Sequence, residues 1–393
     1  MAKTILFVSH DASRTGAPLS LLHLLEWLAE RSDWRMNVLL GDAGELRARF
    51  EALAPTFVCD AARRKRTRAQ RVAARLERSV RRSPLDRWLS GLARQGVDAV
   101  YSASAATATL LPLIRRRLGA PIVLHVRELE YVLSRHVKTG TFRAAQPHVA
   151  HYLADSKATR RNLIDRHGVK AEAVTLVYES IPAHRYRAEA SRFRATEVRT
   201  SLGIPADAYV AASCGTIHWR KGPDLFLQVA RALIKRLKRP IVILWIGGPT
   251  RGEEYERFRY DVEHFGLADH VRVSGIVEDP MPLLAAADVF LLTSREEPLG
   301  IAALEAAVLE RPVVCFSGAG GMAELVGDGR GFTVPYGDTD AMAEVASRLE
   351  SDPALAATTA RRFAEYVIAH HDIDVVAAQT KAAIEKQLVH ERP

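Results

Sequence analysis

The stretch Ser294-Arg295-Glu296-Glu297-Pro298-Leu299-Gly300-Ile301-Ala302-Ala303-Leu304-Glu305 follows the apolar run Val289-Phe290-Leu291-Leu292. A run of that length without polar alternation fits a strand buried on both faces of a parallel sheet. Residues 301–309 favour a helix, so Glu296 to Gly300 is a strand-to-helix loop, the place where open α/β sheets hold ligands. A helix beginning near Leu299 aims its first unbonded N–H groups into that crevice, and Gly300 lets an anion approach the backbone. Glu297 and Glu305 are eight residues apart, the first in the loop and the second one to two turns into the helix. Two such acceptors can grip hydroxyls at two points of one ligand with an anion between them. A sugar joined to a diphosphate has that layout.

The same strand, loop and helix order recurs on both sides. In the first half, strands are expected over 3–9, 36–40, 56–59, 97–101, 121–126, 149–154 and 174–177, with a first helix over 19–31. In the second half, strands are expected over 209–213, 241–246, 271–275, 289–292 and 312–316. This alternation predicts two doubly wound α/β domains, at 1–190 and 200–368, with 369–393 as a C-terminal helix. Residues 183–200 are charged, poor in apolar pattern and read as the crossover. No G-x-G-x-x-G follows the first strand, where His10 to Pro18 holds one glycine, so dinucleotide binding is a poor reading.

The pair Glu297 and Glu305 resembles the E-x7-E element of the retaining glycosyltransferases of family 4, which have the GT-B fold. The usual Glu-Gly-Phe-Gly loop is Glu-Pro-Leu-Gly here. The resemblance implies that Glu297 contacts the donor sugar, that Glu305 holds the ribose hydroxyls, and that Pro298, Leu299, Gly300 and Ile301 line the donor site. A second match is Gly215-Thr216-Ile217-His218-Trp219-Arg220-Lys221-Gly222. The family has an Arg and, five residues on, a Lys that bind the diphosphate. Lys221 fits the Lys, Thr216 stands at the Arg position, and Arg220 is placed to supply the missing charge. A Lys at a helix start opposes the helix dipole, which favours an anionic partner. By the same resemblance, Gly16 and Ala17 correspond to a Gly-Gly-Ala loop between donor phosphates and acceptor, and the backbone near Ile276 meets the base. His125 matches a sugar-contacting histidine, and Arg127 and Glu128 are candidates to face the acceptor. The implied architecture is two Rossmann-like domains facing a central cleft, with the last helix crossing back to the first domain.

With 393 residues, 48% of them hydrophobic, the chain is long enough for two domains of ordinary size and fits no fibrous or disordered class. Its three cysteines are scattered and lack C-x-x-C spacing, which argues against disulfides and zinc, and no cofactor or metal is expected. The apolar runs are too short for a membrane span or a signal peptide, so a cytoplasmic protein is expected, one that could sit peripherally on the inner face of the plasma membrane. The net charge of +9 is concentrated: ten Arg or Lys and one Glu lie between Arg63 and Arg82, and the remainder is formally neutral. As a helix this segment would show one basic face. It reads as a solvated arm or as a surface for anionic lipid headgroups. Without interleaved aromatics or a recognisable motif, nucleic acid is the weakest of its partners.

The function expected is transfer of a sugar from a UDP- or GDP-linked donor to a hydroxyl acceptor, a lipid-linked glycan or cell-envelope polysaccharide precursor. The competing readings are a GT-B sugar-nucleotide epimerase or sucrose-phosphate type synthase, and a membrane or nucleic-acid adaptor with a degenerate sugar site.

Overall fold

A computed structural model describes residues 2–59, 83–135, 137 and 140–389. The basic face expected between Arg63 and Arg82 lies outside the described residues. The chain forms two compact units, one holding residues up to Tyr178 and those from Val376 onward, the other running from Glu179 to Val375.

In the first unit, among the described residues, seven strands form one parallel sheet: β1 (Thr4–Ser9), β2 (Arg35–Leu40), β3 (Thr56–Val58), β4 (Ala99–Ser102), β5 (Ile122–Val126), β6 (His151–Ala154) and β7 (Val174–Leu176). Their order is β3-β2-β1-β4-β5-β6-β7. Ile5, Leu6, Phe7 and Val8 are all fully buried, as a central strand covered on both faces requires. The first helix runs Gly16–Arg31, so it begins three residues earlier than the sequence pattern suggested. Pro18 explains the difference, because a proline in the first turn gives up an N–H that has no partner there anyway.

The second unit repeats the plan with β8 (Tyr209–Cys214), β9 (Ile241–Ile246), β10 (Val271–Val273), β11 (Val289–Leu292), β12 (Val313–Phe316) and β13 (Phe332–Val334), in the order β10-β9-β8-β11-β12-β13. Neighbouring strands are parallel throughout. The chain winds outward from β8 to β10 and returns on the other side at β11, so the direction of winding reverses between β8 and β11. In such a sheet ligands bind at the carboxyl ends of the two strands flanking the reversal. The loops following β8 and β11 carry the two motifs singled out in the sequence. Trp245 anchors the core beneath them: it is fully buried, its ring centre is 5.6 Å from that of Phe226, and its indole N–H donates to the Gly215 carbonyl at 3.0 Å.

The crossover is more ordered than its composition suggested. It folds into helices Ala183–Glu189 and Ala195–Ser201. Local pattern is weak there because tertiary contacts hold the first helix: the Arg187 guanidinium donates to the Val308 carbonyl and pairs with Glu310. The final helices, Pro353–His371 and Ile373–Val389, break at Asp372. Its carboxylate accepts from the backbone N–H groups of Asp374 and His184, each at 2.9 Å. Among the described residues no helix is long and apolar enough to cross a membrane.

Candidate active site in the second unit

The β8 loop tightens into a 3-10 turn, Trp219–Lys221, and then passes through Gly222 into helix Pro223–Arg236. Gly222 has φ +67°, and a Cβ there would stand 2.1 Å from the Thr293 carbonyl oxygen, so glycine is required both for the turn and for the close approach of β11. The two loops are bonded along this contact. Thr293 Oγ1 donates to the Gly222 carbonyl at 3.1 Å, and Arg295 N–H donates to the Arg220 carbonyl at 2.8 Å. Arg295 also forms a bidentate pair with Asp224, at 2.8 and 2.6 Å, while its guanidinium lies 4.9 Å from the Trp219 ring centre.

This bonding delivers two cations to one carboxylate. Lys221 Nζ pairs with Glu297 Oε2, and Arg220 Nη1 is 3.6 Å from Glu297 Oε1. Ser294 Oγ donates to Glu297 Oε2 at 2.9 Å. Burial alone would raise the Glu297 carboxyl, but the charges of Lys221 and Arg220 and the bonds from Lys221 and Ser294 outweigh it and bring the pKa down to about 2. Glu297 is therefore an anion although it is only 6% exposed. Its backbone is braced by the Gly320-Gly321 turn: Glu297 N–H donates to the Ala319 carbonyl at 2.8 Å, and Gly321 N–H donates to the Pro298 carbonyl at 2.9 Å. The counter-ion of Lys221 is thus Glu297, which relieves the tension that the sequence assigned to an unpaired Lys. An ammonium has three donors, so Lys221 can hold Glu297 and a phosphate together.

Gly300, with φ +93°, opens helix Ile301–Val308, and no side chain caps that helix. Its first-turn N–H groups follow directly on the Glu297 loop. One turn on, Glu305 has the opposite environment to Glu297. It too is 6% exposed, but among the described residues it makes no hydrogen bond or ion pair. Burial, helped by the charge of Asp279, pushes its carboxyl up to about 8. Two acidic groups on one loop and helix are thereby split into a fixed anion and an acid that still seeks partners. Of the other expected residues of this unit, Thr216 and Ile276 are exposed, Ile276 at 70%, whereas Pro298 and Leu299 are buried. The Ser294 bond and the Asp224 and Arg295 clamp were missed in the sequence. Ser294 alone had a signal, standing three residues before Glu297 in the same loop.

The candidates in the first unit are placed differently. Gly16 and Ala17 open the helix Gly16–Arg31, where Thr15 makes no side-chain cap. His125 was expected to offer a ring nitrogen to a sugar. The structure buries it, with Nε2 donating to the Val177 carbonyl at 3.1 Å and Nδ1 accepting from the Tyr101 hydroxyl at 2.8 Å. Burial, and then the charge of Arg127, lower its pKa well below the usual value, so the ring is neutral. Both ring nitrogens are used inside the unit, and His125 holds Tyr101 and the segment after β7 in place. Glu128 is likewise occupied, accepting from Ser104 Oγ and from the N–H groups of Ala105 at 3.1 Å and Arg127 at 2.9 Å. Arg127 donates to the Ala103 carbonyl at 2.6 Å.

The second unit is thus doubly wound, with a basic turn after β8, a glutamate loop after β11 and an uncapped helix start between its two acidic groups. Residues 195–370 match the family model described as glycosyl transferases group 1. The D-inositol 3-phosphate glycosyltransferase of Saccharomonospora viridis is 30% identical over 274 residues, 65% of this chain and 62% of that protein. The lipopolysaccharide core biosynthesis glycosyltransferase LpsE of Rhizobium meliloti is 32% identical over 170 residues, 43% of this chain and 48% of that protein. The chain thus spans less than two thirds of the length of these curated relatives. Among solved structures, Anabaena HepE in complex with UDP and glucose superposes with a TM-score of 0.80 at 21% identity, covering 97% of this chain and 99% of that one. The fold is therefore GT-B, built from two Rossmann-like parallel α/β domains.

Proposed function

We propose that the protein moves a sugar from a nucleoside diphosphate sugar to a hydroxyl acceptor with retention of anomeric configuration. The observation that carries this reading is the division of labour between Glu297 and Glu305 around an uncapped helix start, with Lys221 and Arg220 on the same loop system. In this assignment Glu297 orients the donor sugar, and Lys221, Arg220 and the helix start at Gly300 and Ile301 take up the charge of the departing diphosphate. Glu305 holds the ribose, and the backbone near Ile276 meets the base. The sugar–phosphate C–O bond breaks, the acceptor oxygen bonds to the same carbon on the same face, and the acceptor proton passes to the leaving phosphate. The 1–190 region is assigned to the acceptor and 200–368 to the donor. UDP is the first base to test, because HepE is described with UDP and UDP-glucose; GDP is the second. A glycan acceptor of the lipid-linked or cell-envelope kind is supported by the lipopolysaccharide core relative.

The direct test is thermal unfolding with UDP, GDP, dTDP and ADP. A nucleotide at about one hundred times its dissociation constant stabilises the protein by roughly 2.7 kcal/mol. The expected result is a shift with one base that shrinks in Glu305→Ala; no shift with any nucleotide would overturn the reading. For the segment between Arg63 and Arg82 we keep the lipid reading. Sedimentation with anionic vesicles that is lost at high salt is expected, and equal sedimentation with neutral vesicles would refute it.

A further inference from the structure

Two short helices of the second unit pack on the helix that carries Glu305. Helix Ala183–Glu189 packs along helix Ile301–Val308, fixed at one end by the His184 N–H on Asp372 and at the other by Arg187 on the Val308 carbonyl, 3.4 Å away. Helix Met281–Ala285 packs on the same helix, and the loop before it carries Asp279, which accepts from Met281 N–H at 3.0 Å. Tyr186 stands in this cluster. It is half-buried, and the Arg185 guanidinium lies 5.3 Å from its ring centre. It shares a helix face with the fully buried Ala183, three residues earlier, and adjoins Arg187, which touches Val308 one turn beyond Glu305; burial, and then the charge of Glu305, raise its phenol well above the usual range.

Glu305 is only 6% exposed and makes no hydrogen bond or ion pair among the described residues, so its carboxyl is left to a ligand that brings a partner. A hydroxyl suits this place, since it can donate to the carboxylate and accept from a phenol at the same time. We propose that Tyr186 is a ligand-binding residue that shares the ribose of the nucleoside diphosphate with Glu305, its phenol donating to a ribose hydroxyl that itself donates to Glu305. The assignment rests on the donor site proposed above. It gives the crossover helix a recognition role, because the residue that completes the ribose grip lies outside the β8 and β11 loops.

Calorimetric titration of wild type and Tyr186→Phe with UDP, GDP and their 2′-deoxy and 3′-deoxy forms tests it. Phenylalanine keeps the ring and its packing and removes only the hydroxyl. With the nucleotide that wild type binds, the variant is expected to lose roughly three- to tenfold in affinity, the worth of one hydrogen bond. It is expected to bind one of the two deoxy analogues as wild type does, so that the preference for the intact ribose shrinks by the same factor. Unchanged affinity and preference would overturn the proposal and leave the donor site standing. So would an equal loss for all three ligands with a lowered Tm, which marks a packing role. Wild type that binds none of the nucleotides would refute the donor reading itself, and this proposal with it.

Discussion

Lys221→Met is expected to lower sugar transfer, measured as kcat/KM with the donor that binds, by about 10²- to 10³-fold, the usual cost of removing one preorganised group from a developing negative charge. Donor cleavage leaves a diphosphate whose new charge must be met where water is scarce, and Lys221 is the ammonium that the β8 turn fixes against Glu297. The same change removes the nearest positive partner of a carboxylate that is only 6% exposed. A stability loss of roughly 3 kcal/mol is expected, since an uncompensated buried charge is the expensive outcome of breaking such a pair. Arg220, 3.6 Å from the other oxygen, limits the loss. The two effects separate in the double variant Lys221→Met, Glu297→Gln, which has no buried charge left to compensate. Its Tm should return toward wild type while turnover stays low. Full turnover in the single variant, or recovery of turnover together with Tm in the double, would show that Lys221 serves only to neutralise Glu297.

The parts of this site legible in the sequence are those fixed by local chemistry. A glycine before a helix, a Lys-Gly pair after a strand and two glutamates eight residues apart each say something about a few neighbouring positions. Parallel sheet order then brings the β8 and β11 loops together without further information. What stayed hidden depends on burial and on partners distant in sequence. His125 sits near the carboxyl end of β5 as expected, yet whether its ring nitrogens face a ligand depended on Tyr101, 24 residues away, and Val177, 52 residues away. Glu128 was similarly claimed by Ser104. Tyr186 was hidden because its helix has a charged, unpatterned sequence that owes its form to contacts with residues such as Val308, more than a hundred positions later. Equally, nothing in the spacing of Glu297 and Glu305 revealed that one would be held ionised by two cations and the other left without a partner.

That last difference has a measurable consequence for the unliganded protein. Glu305 keeps its proton in the native state up to about pH 8, whereas in the unfolded chain a glutamate gives it up near pH 4.5. Between these values the native state binds one proton more than the unfolded state, so stability falls as pH rises. Fully developed above pH 8, this loss amounts to a few kcal/mol. Glu305→Gln keeps the shape, carries no charge at any pH and should remove the slope. Wild type and variant are expected to be alike near pH 4.5 and to diverge steadily to pH 8, with the variant the more stable, as read from denaturant midpoints along a pH series. Glu297 does not confuse the window, because its own titration, at about 2 in the native state, acts between pH 4.5 and 2 and in the opposite sense. Parallel curves for the two proteins would mean that Glu305 is ionised and solvated in the empty site. A diverging pair would show that the empty site keeps a neutral acid waiting for hydroxyl partners. The variant should then be the more stable enzyme and the weaker nucleotide binder, because a site that holds an unsatisfied carboxyl for its ligand is destabilised until the ligand arrives.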